Sequence, residues 1–335
     1  EWIELILQSR AQLCLDAGRP RAATIPQAEL VLRLEARLGP LELQTIVARE
    51  WLVSTALQAG CAREHLDHAR ELLAALRELR GPTAEETIAA HLRLIRALSQ
   101  AGAHEEALVS SREIAALGQT RSDPTIQVRG LQSEAHALLS AKLHAEAETV
   151  LRRALPLAEM HAKAIVLELE ISLTAALVEQ DKHQEAEPLA RRCLDTAVRM
   201  KSAPEAILEA SRRNLLYVLH GLRKSAEALP LQRAEVEALR RSAPGSGILA
   251  IELHNLAEME CSQGRLERAA ALYQESLALT ELREGYLSES WGETLQKYAS
   301  LLLSLERPDE VLRLVQPALP GLLAALGASH RVCLR

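Results

Sequence analysis

Gly102-Ala-His-Glu-Glu-Ala107, Lys142-Leu-His-Ala-Glu-Ala147, Asp181-Lys-His-Gln-Glu-Ala186, Arg223-Lys-Ser-Ala-Glu-Ala228 and Gly264-Arg-Leu-Glu-Arg-Ala269 are five versions of one short phrase. Each lies between two apolar stretches with helical spacing, so each reads as the turn of a helix pair. The closing small residue extends to a set of eight: Ala23, Ala69, Ala107, Ala147, Ala186, Ala228, Ala269 and Val311. Their intervals run from 38 to 46 residues. A fixed period in this range marks a stacked repeat protein. A small residue near the start of the second helix lets the two axes cross closely. Val311 relaxes that rule by two methyl groups, which predicts looser packing there.

The seventh copy shows the unit most clearly. Helix A is predicted from Ile248 to Ser262, with Leu249, Leu253, Leu256, Ala257 and Met259 on its apolar side. Gln263-Gly264 closes it, since Gly accepts the positive φ that follows a helix end. Helix B is predicted from Leu266 to Leu282, with Ala269, Ala270, Tyr273, Leu277 and Leu279 at helical spacing. Breakers sit in other expected linkers: Gly118, Pro124, Pro204, Pro244, Gly245 and Gly247. In the second copy the turn between Gly60 and Ala69 is about four residues too long for the pattern.

Composition agrees with thin helical layers. Of the 335 residues 48% are hydrophobic, but only 2% are aromatic and none is Phe, so Leu and Ala build the core. The net charge of -6 offers no overall basic balance for nucleic acid. No apolar run approaches the roughly 18 residues of a membrane span. Cys14, Cys61, Cys193, Cys261 and Cys333 are scattered without a C-x-x-C pair, which points to free thiols and a cytoplasmic setting. The chain opens inside an apolar-periodic helix, which suggests a piece of a longer protein.

The chain resembles the tetratricopeptide repeat (TPR) family. That pattern pairs a small residue in helix A with an Ala 12 residues later in helix B. Ala135 with Ala147, Ala257 with Ala269 and Ala299 with Val311 follow it, and Ile95 with Ala107 and Thr174 with Ala186 follow it with a bulkier first member. The period near 41 exceeds the usual 34 and resembles the longer repeats of kinesin-light-chain-like proteins and MalT-like bacterial regulators. Leu253-His-Asn-Leu-Ala257 and Leu326-Gly-Ala-Ser-His330 resemble kinesin-light-chain segments, with Leu38-Gly39 as a weaker copy of the second. The resemblance implies an all-α superhelical solenoid of about eight helix-turn-helix repeats over residues 1–335. A further repeat or capping helix is expected after Leu326.

No nucleotide-binding, nucleophile-elbow or zinc signature is present, so no catalytic residue, metal site or cofactor is assigned. Glu64-His65-Leu-Asp67-His68 has too few ligands for zinc and reads as a solvated helix face. His104, His144 and His183 recur with the period and read as exposed turn residues. Glu267, Arg268 and Glu275 read as an outer face with local ion pairs.

The resemblance implies that helix A lines a concave groove that binds other chains. Transferred by repeat alignment, that face carries Arg93 and Arg96, then Arg129, Gln132 and His136, then Arg213, Asn214 and Tyr217, then His254 and Asn255, then Gln296 and Lys297. The fifth copy is blander, with Ile171, Ser172 and Val178. The set is polar and mostly basic in an acidic chain. Asn214 and Asn255 match a family position suited to extended main chain, because an amide both donates and accepts. The expected partner is a protein or peptide, acidic or extended, rather than nucleic acid or membrane. The Lys and Asn pattern of chaperone-binding carboxylate clamps is not matched. The alternative is a sensor or regulatory arm of a larger bacterial signalling protein, binding a small ligand or a segment of its own chain.

Overall fold

Every element of the computed structural model is helical among the described residues, which are 2–200, 204–284 and 288–316. The α-helices are α1 (Trp2–Asp16), α2 (Pro20–Leu38), α3 (Leu43–Gln58), α4 (Leu66–Arg80), α5 (Glu85–Ala101), α6 (His104–Thr120), α7 (Pro124–Ser140), α8 (His144–His161) and α9 (Val166–Val178). They continue as α10 (His183–Arg199), α11 (Glu205–Gly221), α12 (Ser225–Ser242), α13 (Gly247–Ser262), α14 (Leu266–Glu284) and α15 (Glu289–Ser304). A further helix, α16, covers 308–316. Odd-numbered helices are helix A of a repeat and even-numbered ones helix B. The boundaries expected for the seventh copy hold to within two residues. The Leu326–His330 segment and Cys333 lie outside the described residues.

The ladder of small residues is the spine of the packing. Ala23, Ala69, Ala107, Ala147, Ala186, Ala228 and Ala269 are all buried, and Val311 is half-buried against the cluster around Tyr273 and Leu302. Helix A starts are capped where the sequence supplies a cap. Asp123 accepts from Thr125 N and Ile126 N in front of α7, Ser246 accepts from Leu249 N in front of α13, and Ser288 accepts from Trp291 N in front of α15. These bonds satisfy amides that have no partner inside the helix.

The turn between helices A and B obeys a conformational rule. The residue that opens the motif adopts positive φ in every repeat: Gly18, Gly60, Gly102, Lys142, Asp181, Arg223, Gly264 and Glu306. The N–H of the very next residue closes the turn, as in Leu143 N to Leu138 O at 2.9 Å and Arg265 N to Glu260 O at 2.9 Å. Four copies pay the αL cost with a residue other than Gly.

In the second repeat the four extra residues follow Gly60 and form a 3-10 turn, Ala62–His65, ahead of α4. The turn itself is unchanged, so the ladder keeps its register after the insertion. His65 therefore lies before α4 rather than on one helix face with His68. The two rings stack at 6.1 Å. Burial lowers the His65 pKa, the neighbouring His68 lowers it further, and Glu64 opposes both. This corrects the expectation of a plain solvated face.

Gly118 is not in a linker. It is buried inside α6, and a Cβ there would come within 2.2 Å of Gln127 N in α7. On α7 a Cβ at Gly130 would come within 2.3 Å of Ala115 N. The third and fourth repeats thus meet backbone to backbone, and glycine is required by contact rather than by φ. His104, His144 and His183 are half-buried first residues of helices B, not exposed turn residues. Of the five cysteines, Cys14, Cys61, Cys193 and Cys261 are outside any disulfide, with Cys61 and Cys193 buried.

The chain divides into two compact units, Glu1–Lys182 and His183–Arg335. The division falls in the fifth repeat, with α9 in the first unit and α10 in the second. No described helix is long and apolar enough to cross a membrane.

Candidate partner-binding surface

All twelve residues singled out on helix A lie on odd-numbered helices. In the first unit, α5 presents Arg93 and Arg96 and α7 presents Arg129, Gln132 and His136. Four of these five converge. Arg96, Arg129, Gln132 and His136 line a groove of about 610 Å³, together with Leu92, Ile95, Ser99, Gln100, Ser133, Ile165 and Glu168. The apolar part is Leu92, Ile95 and Ile165, and the remainder can hydrogen-bond.

The charges in this groove are unequally committed. Arg96 and Arg129 are exposed, and neither has a hydrogen bond or ion pair among the described residues. Gln132 donates to Glu168 Oε2 at 2.7 Å, and His136 Nε2 lies 3.3 Å from Ser172 Oγ. His136 is exposed. Close packing lowers its pKa, Glu168 opposes that shift and Arg96 adds to it. The groove thus holds two unpaired guanidinium groups and one carboxylate. Arg93 stands apart from this lining: it pairs with Glu50 at 2.8 Å.

In the second unit the same helix face is largely engaged within the protein. Arg213 pairs with Glu235 Oε1 at 3.1 Å, and Arg212 holds the other carboxylate oxygen at 2.9 Å. Lys297 pairs with Glu258. His254 Nδ1 lies 2.9 Å from Thr294 Oγ1, and its ring meets Tyr273 edge-on at 5.4 Å. Asn255 Nδ2 donates weakly to Glu252 Oε2 at 3.4 Å. Tyr217 is exposed and Asn214 half-buried, while Gln296 accepts Ser300 Oγ on its main-chain oxygen. A smaller cavity of about 180 Å³ between α13, α14 and α15 includes only His254 from the expected set.

No family model matches the chain, and no curated protein matches it in sequence. Solved structures do match its backbone. RapI in its apo form matches with a TM-score of 0.63 at 11% identity, over 82% of this chain and 76% of that one. A Rap protein complexed with competence and sporulation factor gives 0.52 at 14% identity, over 83% of this chain and 75% of that one. A tetratricopeptide repeat protein from Parabacteroides merdae gives 0.51 at 14% identity, over 88% of this chain and all of that one. The chain has a TPR fold.

Within the TPR register, two important groups escaped the sequence reading. Glu168 occupies the position of Arg129, 18 residues before the ladder alanine, and makes the fifth copy charged rather than bland. Aligning that position in every copy would have found it. Glu235 sits on helix B, where attention to helix A alone overlooks it. The outer-face pairs also differ from expectation. Arg240–Glu275, at 2.5 Å, and Arg307–Glu267, at 3.2 Å, join successive repeats instead of neighbours on one helix. Among the described residues no group of three His, Cys, Asp or Glu is placed to hold a metal ion.

Proposed function

We propose that this protein is a non-enzymatic interaction module, and that the groove of its first unit takes an extended peptide segment carrying acidic side chains. The observation that carries this reading is the pair Arg96 and Arg129, unpaired and exposed across a groove that also holds an apolar strip. A volume of about 610 Å³ lies within the range of roughly 300–1,000 Å³ usual for ligand sites. Arg grips carboxylates through two parallel hydrogen bonds. Gln132, Ser133 and Gln100 bring amide and hydroxyl groups suited to main chain. Glu168 sets a limit: carboxylates are welcome beside the arginines and repelled next to α9. The solved Rap complex with competence and sporulation factor supports the reading by fold. In this reading Arg213 and Lys297 of the second unit, each paired with a carboxylate, remain structural.

The test uses fluorescein-labelled nonapeptides rich in Glu and Asp, and their Gln and Asn counterparts, with the full chain in an anisotropy titration. The acidic set should bind, with affinity falling as salt rises. Arg96→Glu and Arg129→Glu should each weaken binding at least about tenfold, the value of one charge-assisted hydrogen bond. Arg268→Glu, on the exposed outer face, should change nothing. Equal binding of both peptide sets, or equal loss from both faces, sinks the proposal.

A further inference from the structure

The groove of the first unit has two electrical poles. Arg96 on α5 and Arg129 on α7 form the positive one, and Glu168 on α9 the negative one. All three side chains are exposed. Among the described residues Glu168 has no cation against it. Its Oε2 accepts the Gln132 amide, and Oε1 has no partner there. Other copies differ. Glu50 and Glu258, on the same face, each hold a cation, Arg93 and Lys297. A carboxylate bound only by a neutral amide keeps its full charge to offer.

The poles are close. The contacts Gln132–Glu168 and His136–Ser172 place α7 and α9 side by side. The His136 pKa responds to Glu168 and to Arg96 in opposite directions, so both poles act on one side chain. Neighbouring packed helices lie about 8–10 Å apart. An extended chain covers that distance in about three residues, and its side chains alternate between faces. Two side chains that meet both poles from one face are thus roughly two or four residues apart. Ile165, three residues before Glu168 and half-buried, lines the groove beside it. It offers an apolar bed for the methylene stem of a long cationic side chain. One free carboxylate oxygen suits the point charge of Lys better than the two-pronged fork of Arg.

We propose, on the peptide-binding reading of this groove, that Glu168 is its cation subsite and that the bound segment is dipolar. An acidic side chain meets Arg96 and Arg129, and a lysine roughly two or four residues away meets Glu168. A uniformly acidic segment sets one of its carboxylates against Glu168, and like charges brought together cost affinity. A lysine in register removes that repulsion and adds an ion pair. The groove then selects the order and spacing of charges, with repulsion excluding the wrong pattern.

The probes are serine-rich nonapeptides with a central Glu, acetylated and amidated so that the ends carry no charge. Each has Lys or Gln one, two or four residues from that Glu, on either side. Titrated into the full chain by calorimetry, Lys at two or four residues should bind about fivefold more tightly than Gln in at least one chain direction, the scale of an ion pair. Lys next to Glu points to the other face and should add nothing. Glu168→Gln, which keeps an acceptor for Gln132, should abolish the gain. Glu168→Lys should make the Lys peptides the weaker binders. Circular dichroism checks that both variants keep their helicity. No gain at any spacing overturns the proposal. So does a gain at every spacing, or one that survives Glu168→Gln, since that is attraction to the acidic chain as a whole. In these outcomes the acidic peptides still bind, and the reading of the groove stands. If neither acidic nor dipolar peptides bind, or if Arg96→Glu and Arg129→Glu leave both unaffected, that reading falls and the cation subsite with it.

Discussion

The helix A faces of the two units start from similar side chains and end differently. Arg96 and Arg129 stand free over the groove of the first unit. Arg213, in the register of Gln132, is tied down in the second. The cause is on helix B. Seven residues after the ladder alanine, the third, fourth and fifth copies carry Ile114, Ala154 and Cys193, and the sixth carries Glu235. Glu235 is 2% exposed and holds two arginines at once. A cation on helix A is available to a partner only where the helix B behind it has no carboxylate to claim it.

The largest effect should come from removing that claim. Glu235→Ala leaves Arg212, itself 9% exposed, as a buried charge without its counterion. Breaking a buried pair from one side costs about 3–5 kcal/mol. Chemical denaturation should show that loss, and Glu235→Leu with Arg212→Leu should recover most of it. If Glu235→Ala loses less than about 1 kcal/mol, the carboxylate is not the anchor described here.

The first unit has its own buried titratable group, His91. The His91 pKa is lowered to about 4, mainly by burial and then by Arg77, with Glu113 opposing. The unfolded imidazole titrates near 6.5, so the unfolded chain binds more protons between these values. Stability contributed by neutral His91 is therefore complete above about pH 6.5 and lost as pH falls toward 4, by up to about 3 kcal/mol. Hydrogen exchange at pH 7 and pH 4.5 should show α4–α6 losing protection, and His91→Leu should flatten that dependence. An unchanged profile in the variant would transfer the acid sensitivity to other groups.

How much of this was legible in advance follows from what each interaction depends on. The ladder, the turns and the pairing of helices depend on residues close in sequence and repeated at one period, so they could be read. The close approach at Gly118 depends on what α7 presents, and a lone glycine cannot tell contact from a linker. The state of Arg213 depends on Glu235, 22 residues away on another helix. Candidate site residues could be placed on the correct face, but their availability depends on partners across the repeat. The 3-10 turn at Ala62–His65 was visible as a surplus of four residues, without its shape.

Charge reversal tests the comparison at intermediate size. Arg129→Glu should weaken the acidic peptides and leave stability within about 0.5 kcal/mol, as for other exposed sites. Arg213→Glu places a carboxylate beside Glu235, so it should cost about 1.5–3 kcal/mol of stability, the value of a lost hydrogen bond to a charged group. Its effect on peptide binding should be smaller than that of Arg129→Glu. Circular dichroism melts and anisotropy on the same samples separate the two outcomes. Equal destabilisation by both reversals would erase the distinction between a free and a claimed arginine.

The smallest effect concerns a feature that the units share. Both build the turn between helices A and B on one residue with positive φ, filled by Gly102 and Lys142 in the first and by Arg223 and Gly264 in the second. Lys142 and Arg223 are exposed, with φ of 60° and 57°. For these residues αL costs roughly 1–2 kcal/mol, partly offset in a Gly replacement by the greater freedom of the unfolded chain. Lys142→Gly and Arg223→Gly should each stabilise by about 0.5–1 kcal/mol. The reverse change is clean at Gly102 and Gly264, where an added Cβ meets nothing within 4 Å. Gly102→Ala and Gly264→Ala should thus lose about 1 kcal/mol through the backbone alone. If the two turns in each unit respond alike, the conformational rule belongs to the repeat. If only one unit responds, the turns of the other relax out of αL, and that difference becomes a further contrast between the units.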